Sequence, residues 1–570
     1  MYGKGTAYVD NLSFQYNKDP EKILSFSTDD VFYYTDHTAD CEARISLNTK
    51  FHHLENTDVK MDLLEGDTVL QTKTGRADAN GKAVFTFPFS WIEKAETKYT
   101  VRCTLNDGKT TCTQNVYKYP RPKFIRQDGV YEENGKVFNP VIMYHVSVND
   151  ADTVDTLEAA GVNLLQGYAT SDWLKNVEAS KEKPERDMKV IAVLYDGANT
   201  AGAENRLKQT IKTVSDFRRE KGIFGWAVMD EPSPTPEILR ELEDAYVTIR
   251  KYDKNHPVWI TCNDNLETIA KYCDVLCADT YAYSGGYTNA TVESITKAVA
   301  AAKGRPVYAL LQAFDGNGTC PTAAELRHTQ YQALYAGAKG IGYFCFESAV
   351  GGENLDKTAL WPTVEKFGRE KETAFRALVH SEGEIIMQGE DSDARWRVWR
   401  TDGDIFVLLL NKTTTGSVTK TLEHAAFTAD LRAFDAENVR SSRAVASDGK
   451  LTISALASGV TFLRLVKNTD AVSFVKRNGE SVEKVTSGEA VRPYIRIWNA
   501  AGKVPMTILA EYEGNKLINC SMIQNTSTAE DTLFLEIGDE IYASEGKTYK
   551  LFLWSGNNLQ PIQKATCKTE

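Results

Sequence analysis

The residues best suited to chemistry in this chain are Asp230 and Glu231, which stand together in Met229-Asp230-Glu231-Pro232. They follow the apolar run Ile223-Phe224-Gly225-Trp226-Ala227-Val228, so two carboxyl groups fall where a strand stops. Neighbouring carboxylates disfavour each other's ionisation, and one of such a pair tends to keep its proton near neutral pH, as a general acid must. The competing reading is structural. Pro232, Pro234 and Pro236 mark the segment as a helix entry, where acids cap freed amides and favour the helix dipole.

The elements that hold this pair are legible in the surrounding pattern. An apolar run bounded by Gly222 and Pro232 reads as a strand buried on both faces, the kind found in parallel α/β sheets. After Tyr119-Pro120-Arg121-Pro122, strands alternate with helical stretches such as Glu204–Lys221, Glu237–Tyr252 and Ala323–Ala338. The strands read as Val141–Val146, Val162–Tyr168, Lys189–Tyr195, Phe224–Glu231, Val258–Asn263, Val275–Tyr281, Val307–Phe314 and Ile341–Glu347. Eight such units in about 250 residues match a (β/α)8 barrel. An open doubly wound sheet is the alternative, but no GxGxxG fingerprint supports it. On either side of this region, alternating runs and polar turns predict β-sandwiches. The fold class is therefore multidomain α/β plus all-β, with a central TIM barrel between β-sandwich domains. The expected divisions are an Ig-like sandwich over 1–120, the catalytic barrel over 121–382, a sandwich packed on the barrel over 383–467, and an all-β module over 468–570.

Active sites of such barrels lie at the strands' C-terminal ends, so the residues ending each strand form an inventory of the site. It comprises Tyr144, His145, Gln166, Tyr168, Tyr195, Asp196, Asp230, Glu231, Thr261, Asn263, Asp264, Asp279, Tyr281, Tyr283, Gln312 and Glu347. Carboxylates, amides and aromatic rings suit the hydroxyl edges and apolar faces of sugars. Each position also has a bland role. Tyr144, Tyr195 and Tyr281 fit barrel layers, His145 fits a buried hydrogen-bonding residue, and Asp279 fits a loop cap. Trp226 fits the core, and Trp361 fits either a sugar platform or a packing residue.

At Asp230-Glu231-Pro232 the chain resembles the clan A glycoside hydrolases, barrel enzymes whose fourth strand ends in Asn-Glu-Pro with that Glu as acid/base. The resemblance implies hydrolysis of a β-linked glycan with Glu231 as general acid/base. It breaks at strand seven, where the family carries its nucleophilic Glu and this chain has Gln312. Three expectations follow for the missing group. Glu347, ending strand eight, supplies the second carboxylate. Alternatively the 2-acetamido group of the substrate is the nucleophile. Asp-Glu-Pro also resembles the β-N-acetylhexosaminidases, the β-N-acetylgalactosaminidases in particular, which implies that Asp230 orients the acetamido group, Glu231 protonates the leaving oxygen and Tyr281 holds the acetamido carbonyl. In the third case the barrel binds glycans without cleaving them.

Composition narrows the partners. A chain of 570 residues with 42% hydrophobic residues can bury several cores, and its net charge of −12 argues against nucleic acid or anionic membranes. No apolar segment is long enough to span a bilayer, and Met1-Tyr2-Gly3-Lys4 lacks the apolar core of a signal peptide. The expected partner is an oligo- or polysaccharide, and the sequence leaves the oligomeric state open. The stretch Ala7–Phe14 resembles the last strand of a jelly-roll carbohydrate-binding module, and the chain's end resembles C-terminal modules of secreted clostridial proteins. The first implies that the native protein extends further upstream, and the second an extracellular or cell-surface bacterial protein. The ten cysteines form no CxxC pair, and HxH and HExxH spacings are absent, so no cofactor or metal is expected. His145 with Asp196 or Asp279 is a remote cation set. Cys103 and Cys112 flank the turn Asn106-Asp107-Gly108 and suit either a cross-strand disulfide or two free thiols.

Overall fold

The structure, a computed structural model, describes residues 23–147, 151–178, 186–194, 202–282, 289–316, 318–380, 383–401, 403–435, 438–442, 449–476, 480–498, 505–524, 533–538, 541–555 and 560–569. The chain forms two compact units, Met1–Arg121 and Pro122–Glu570. No described helix is long and apolar enough to cross a membrane.

In the first unit, a three-stranded sheet (Leu24–Thr28, Cys41–Leu47, Lys82–Phe87) and a five-stranded sheet share one core. The alternating burial of Cys41–Leu47 and Lys98–Leu105 shows each strand giving one face to that core. Cys103 and Cys112 lie directly opposite each other in register as free thiols. The stretch Ala7–Phe14 lies outside the described residues.

The second unit is built on a closed parallel barrel of eight strands. These are β1 (Val141–Met143), β2 (Leu164–Tyr168), β3 (Lys189–Val193), β4 (Ile223–Asp230), β5 (Val258–Cys262), β6 (Val275–Thr280), β7 (Val307–Gln312) and β8 (Gly340–Phe344). Burial on both faces explains their apolar continuity, seen in β5, β6 and β7, whose residues are all buried. A short hairpin ahead of β1 (Tyr131–Glu133, Lys136–Phe138) helps to close the barrel's N-terminal end. The Tyr131 ring stacks on Phe224 at 4.2 Å, with Phe124 and Phe138 against it, and Phe224 in turn meets Trp259 and Tyr308. The floor of the barrel is thus an aromatic plug.

β4 is anchored by more than its ladder. Gly225 lacks a side chain where the Pro257 carbonyl passes, since a Cβ there would lie 2.9 Å from that oxygen. The Pro257 carbonyl accepts the Trp226 amide at 2.9 Å. The fully buried Trp226 indole donates to Asp253 Oδ2 at 2.9 Å, and His256 Nδ1 lies 2.7 Å from the same oxygen. Asp253 Oδ1 also receives the Asn255 amide at 2.8 Å. Removing this carboxylate would leave an indole N–H, an imidazole and a loop amide buried without their partner. Asp253→Ala is expected to cost about 3–5 kcal/mol of stability, read as a lowered urea midpoint at neutral pH.

The helix after β4, Pro236–Tyr252, starts with Thr235 as its cap, the hydroxyl accepting the Ile238 amide at 3.3 Å, and with Pro236 in its first turn. Neither Asp230 nor Glu231 is needed for capping. Past the barrel, a six-stranded sheet and the antiparallel pair Val418–Glu423/Lys450–Ala455 enclose one core, and two five-stranded sheets over Ala471–Thr569 enclose another. The buried Asp404 links these layers, accepting from Arg464 Nε at 2.7 Å and from the Tyr494 hydroxyl at 2.8 Å.

Candidate active site

The C-terminal ends of β4, β5 and β6 bring Asp230, Glu231, Asn263, Asp279 and Tyr281 together. Two register shifts in β4 make this possible. One falls at Val190/Ile191 on the β3 side and one between Ala227 and Met229 on the β5 side. The second brings Asp230 level with Thr261, which faces the barrel interior and contacts the Tyr144 hydroxyl across it at 3.1 Å. Bulges of this kind re-aim side chains beside active sites. Glu231 then leaves the strand at φ +42°, its amide donating to the Thr261 carbonyl at 2.9 Å. His145 (+54°), Asn265 (+51°) and Ser348 (+52°) follow β1, β5 and β8 in the same left-handed conformation. Each costs a non-glycine residue of order 1–3 kcal/mol, and such strain gathers where function constrains the backbone.

Glu231 Oε1 accepts from the Asn263 amide at 2.5 Å. Asp279, only 8% exposed, interacts with Glu231 through its carboxyl group, and its Oδ1 meets no hydrogen-bond donor among the described residues. Burial, the contact with Glu231 and the charges of Glu231 and Asp230 push the Asp279 carboxyl up to about 8. It therefore holds a proton at neutral pH and can present it to Glu231. Desolvation and the Glu231 charge also raise Asp230, although its outer edge is open to solvent. Burial and the facing Asp279 hold the Tyr281 phenol well above its usual range. Asp230→Asn removes one negative charge facing Asp279, so the Asp279 titration should move toward lower pH by up to about one unit. Carbon-13 NMR titration of labelled aspartates reads this shift; an unmoved Asp279 would mean that Asp230 does not act on it.

Rings line the opening. Tyr281 meets Phe314 edge-on at 5.1 Å, Phe314 meets Phe344 edge-on at 5.5 Å, and His145 lies nearly parallel to Phe344 at 6.1 Å. This arc runs from β6 through β7 and β8 to β1. The strand-end inventory omitted Phe314 and Phe344 because it collected polar residues and tyrosines; the same rule extended to phenylalanine would have found both.

The remaining predicted residues are placed as follows. Tyr144 is buried beneath the acids, its hydroxyl receiving the Trp259 indole N–H at 3.1 Å and lying 3.6 Å from Cys277 Sγ. It serves as a hydrogen-bonded core layer. Gln312 spends its amide on the Phe314 and Thr319 carbonyls, at 3.1 and 2.9 Å, and so shapes the loop after β7. Glu347 accepts the Ser147 amide at 2.6 Å, and no Lys or Arg among the described residues pairs with it. It stands with β8 and β1, apart from the β4–β6 group. Trp361 is 8% exposed, turned inward with its ring edge-on to Phe346. Gln166 is half-buried and Tyr168 exposed at the end of β2. Tyr195, Asp196 and Tyr283 lie outside the described residues. Among the described residues, no group of three or more His, Cys, Asp or Glu is arranged to hold a metal ion.

No protein-family model matches the chain, and no curated protein matches it in sequence. Among solved structures, it is similar to a β-glucuronidase from Ruminococcus gnavus, with 12% identity over 60% of this chain and 67% of that one, at a TM-score of 0.35. It is also similar to a GH2 β-galacturonidase from Eisenbergiella tayi, with 12% identity over 61% and 72% at a TM-score of 0.35. An α-amylase from Anoxybacillus aligns at 12% identity over 58% and 98%, with a TM-score of 0.41.

Proposed function

We propose that this protein is a glycoside hydrolase in which Glu231 is the general acid/base. The observation that carries the reading is the grouping of Glu231, held by Asn263, with the buried carboxyl group of Asp279 at the C-terminal mouth of the barrel, beside an arc of aromatic rings. Glu231 gives a proton to the glycosidic oxygen as the C–O bond breaks, water supplies the hydroxyl to the anomeric carbon, and its remaining proton returns to the Asp279–Glu231 pair. Two carboxyls in contact are closer than the roughly 5–5.5 Å that separates acid and nucleophile in a retaining enzyme. The pair therefore works as one proton-sharing unit, and the second reacting group lies elsewhere. Glu347 across the mouth is one candidate for it. Substrate assistance is the second reading, favoured by Gln312 at the end of β7 and by Asp230 beside the acid. The four domains, divided at residues 120/121, 382/383 and 467/468, and an extracellular or cell-surface setting, belong to the same proposal.

The test is hydrolysis of aryl β-glycosides and polysaccharides that include matched 2-hydroxy and 2-acetamido sugars. Turnover confined to 2-acetamido sugars selects substrate assistance, and turnover of 2-hydroxy sugars that Glu347→Gln abolishes selects Glu347. No turnover across the panel, with glycan binding retained, converts the reading to a glycan-binding barrel.

A further inference from the structure

The mouth that carries Glu231 is strongly acidic. The described segments between each barrel strand and the helix that follows, taken with the strand-end residues Asp230 and Asp279, hold eight carboxylates and one lysine. That lysine, Lys357, is paired with Asp356 at 2.8 Å. By sequence alone, the other residues of those segments add Asp150 and Asp196 and no Lys or Arg. A field of one sign in a cleft selects ligands of the other sign, so uronate, sulfated and phosphorylated sugars are repelled.

Donors are also scarce where the carboxyls meet. Asp230, Glu231 and Asp279 together offer about ten acceptor positions, allowing for the proton that Asp279 keeps. Against these the described residues set the Asn263 amide and the Tyr281 hydroxyl. Oδ1 of Asp279, on a side chain more than nine-tenths buried, has no donor among the described residues. A sugar hydroxyl brings one donor, whereas an ammonium group brings three together with a positive charge. Resting on the glycosidase reading for the ring itself, we infer that the site takes a cationic amino sugar, with its free ammonium group seated among Asp230, Glu231 and Asp279. The aromatic arc then faces the apolar side of the ring.

The test is direct binding, so it does not depend on turnover. Methyl β-glycosides of glucosamine, galactosamine and mannosamine are compared by NMR titration with their N-acetyl, 2-hydroxy and uronate counterparts, in low salt at about pH 6, where the amines are charged. At least one amine should bind about ten- to a hundredfold more tightly than its matched partners, and that margin should shrink as salt rises. In Asp230→Asn, or in Glu231→Gln if the first variant does not fold, the margin should fall to about two- to threefold. The inference is overturned if no amine is preferred, if a uronate binds best, or if a folded Asp230→Asn keeps the full margin. An amine that binds tightly without being cleaved sustains the inference and removes the glycosidase reading; cleavage of neutral glycosides with no amine preference does the reverse.

Discussion

Glu231→Gln should remain folded and lose about 10²–10⁴-fold in kcat on any glycoside with a poor leaving group that the wild type cleaves. The substitution keeps the side chain's length and an oxygen for the Asn263 amide, so the local hydrogen bonding at the end of β5 survives. What disappears is a group able to carry a proton to the leaving oxygen. The loss should therefore be largest on substrates with poor leaving groups and small on activated aryl glycosides, which need little protonation. Comparing the two substrate types in one variant separates a lost acid from a damaged fold, which would depress both equally. Equal turnover by variant and wild type on a poor leaving group would remove Glu231 from the mechanism.

Asp279→Asn is expected to lower kcat/KM by about 10–10³-fold and, at the same time, to stabilise the protein at alkaline pH. The two effects share one cause. Folding raises this carboxyl to about 8 from its ordinary value near 4, so between those limits the folded state holds a proton that the unfolded state has released. The stabilising share of that proton is fully present below about pH 4 and is lost as pH rises through about 8. Asn carries no ionisable proton and escapes the loss. Thermal melts should coincide for the two proteins near pH 4 and diverge toward pH 8–9, where the variant is the more stable. The wild-type rate should decline above about pH 8, and the variant should lack that limb. Parallel melting curves at every pH would show that Asp279 ionises normally in the folded protein.

The barrel strands were readable to within a few residues because parallel strands buried on both faces are unbroken apolar runs. The place of Glu231 at the mouth of the barrel was readable because an acid pair at a strand end is a local pattern. Its partner was not. Asp279 in Val275-Leu276-Cys277-Ala278-Asp279-Thr280 looks like a loop cap, and only closure of the barrel brings it to Glu231. The β4 bulge was invisible because an extra apolar residue within an apolar run leaves no mark. The capping reading of the acids could have been set aside from sequence, since Thr235-Pro236 is the stronger helix start. The hairpin beneath the barrel was missed because its two strands have only three residues each.

That hairpin gives the barrel a single doorway. With Tyr131, Phe138, Phe124 and Phe224 stacked across the opposite end, no tunnel runs along the barrel axis. Any ligand that enters past His145 and Phe344 must back out by the same route. Under the proposed glycosidase reading, traffic through the site is a queue, in which each departing fragment occupies the ring wall that the next chain needs, and the pace of departure bears directly on the pace of work.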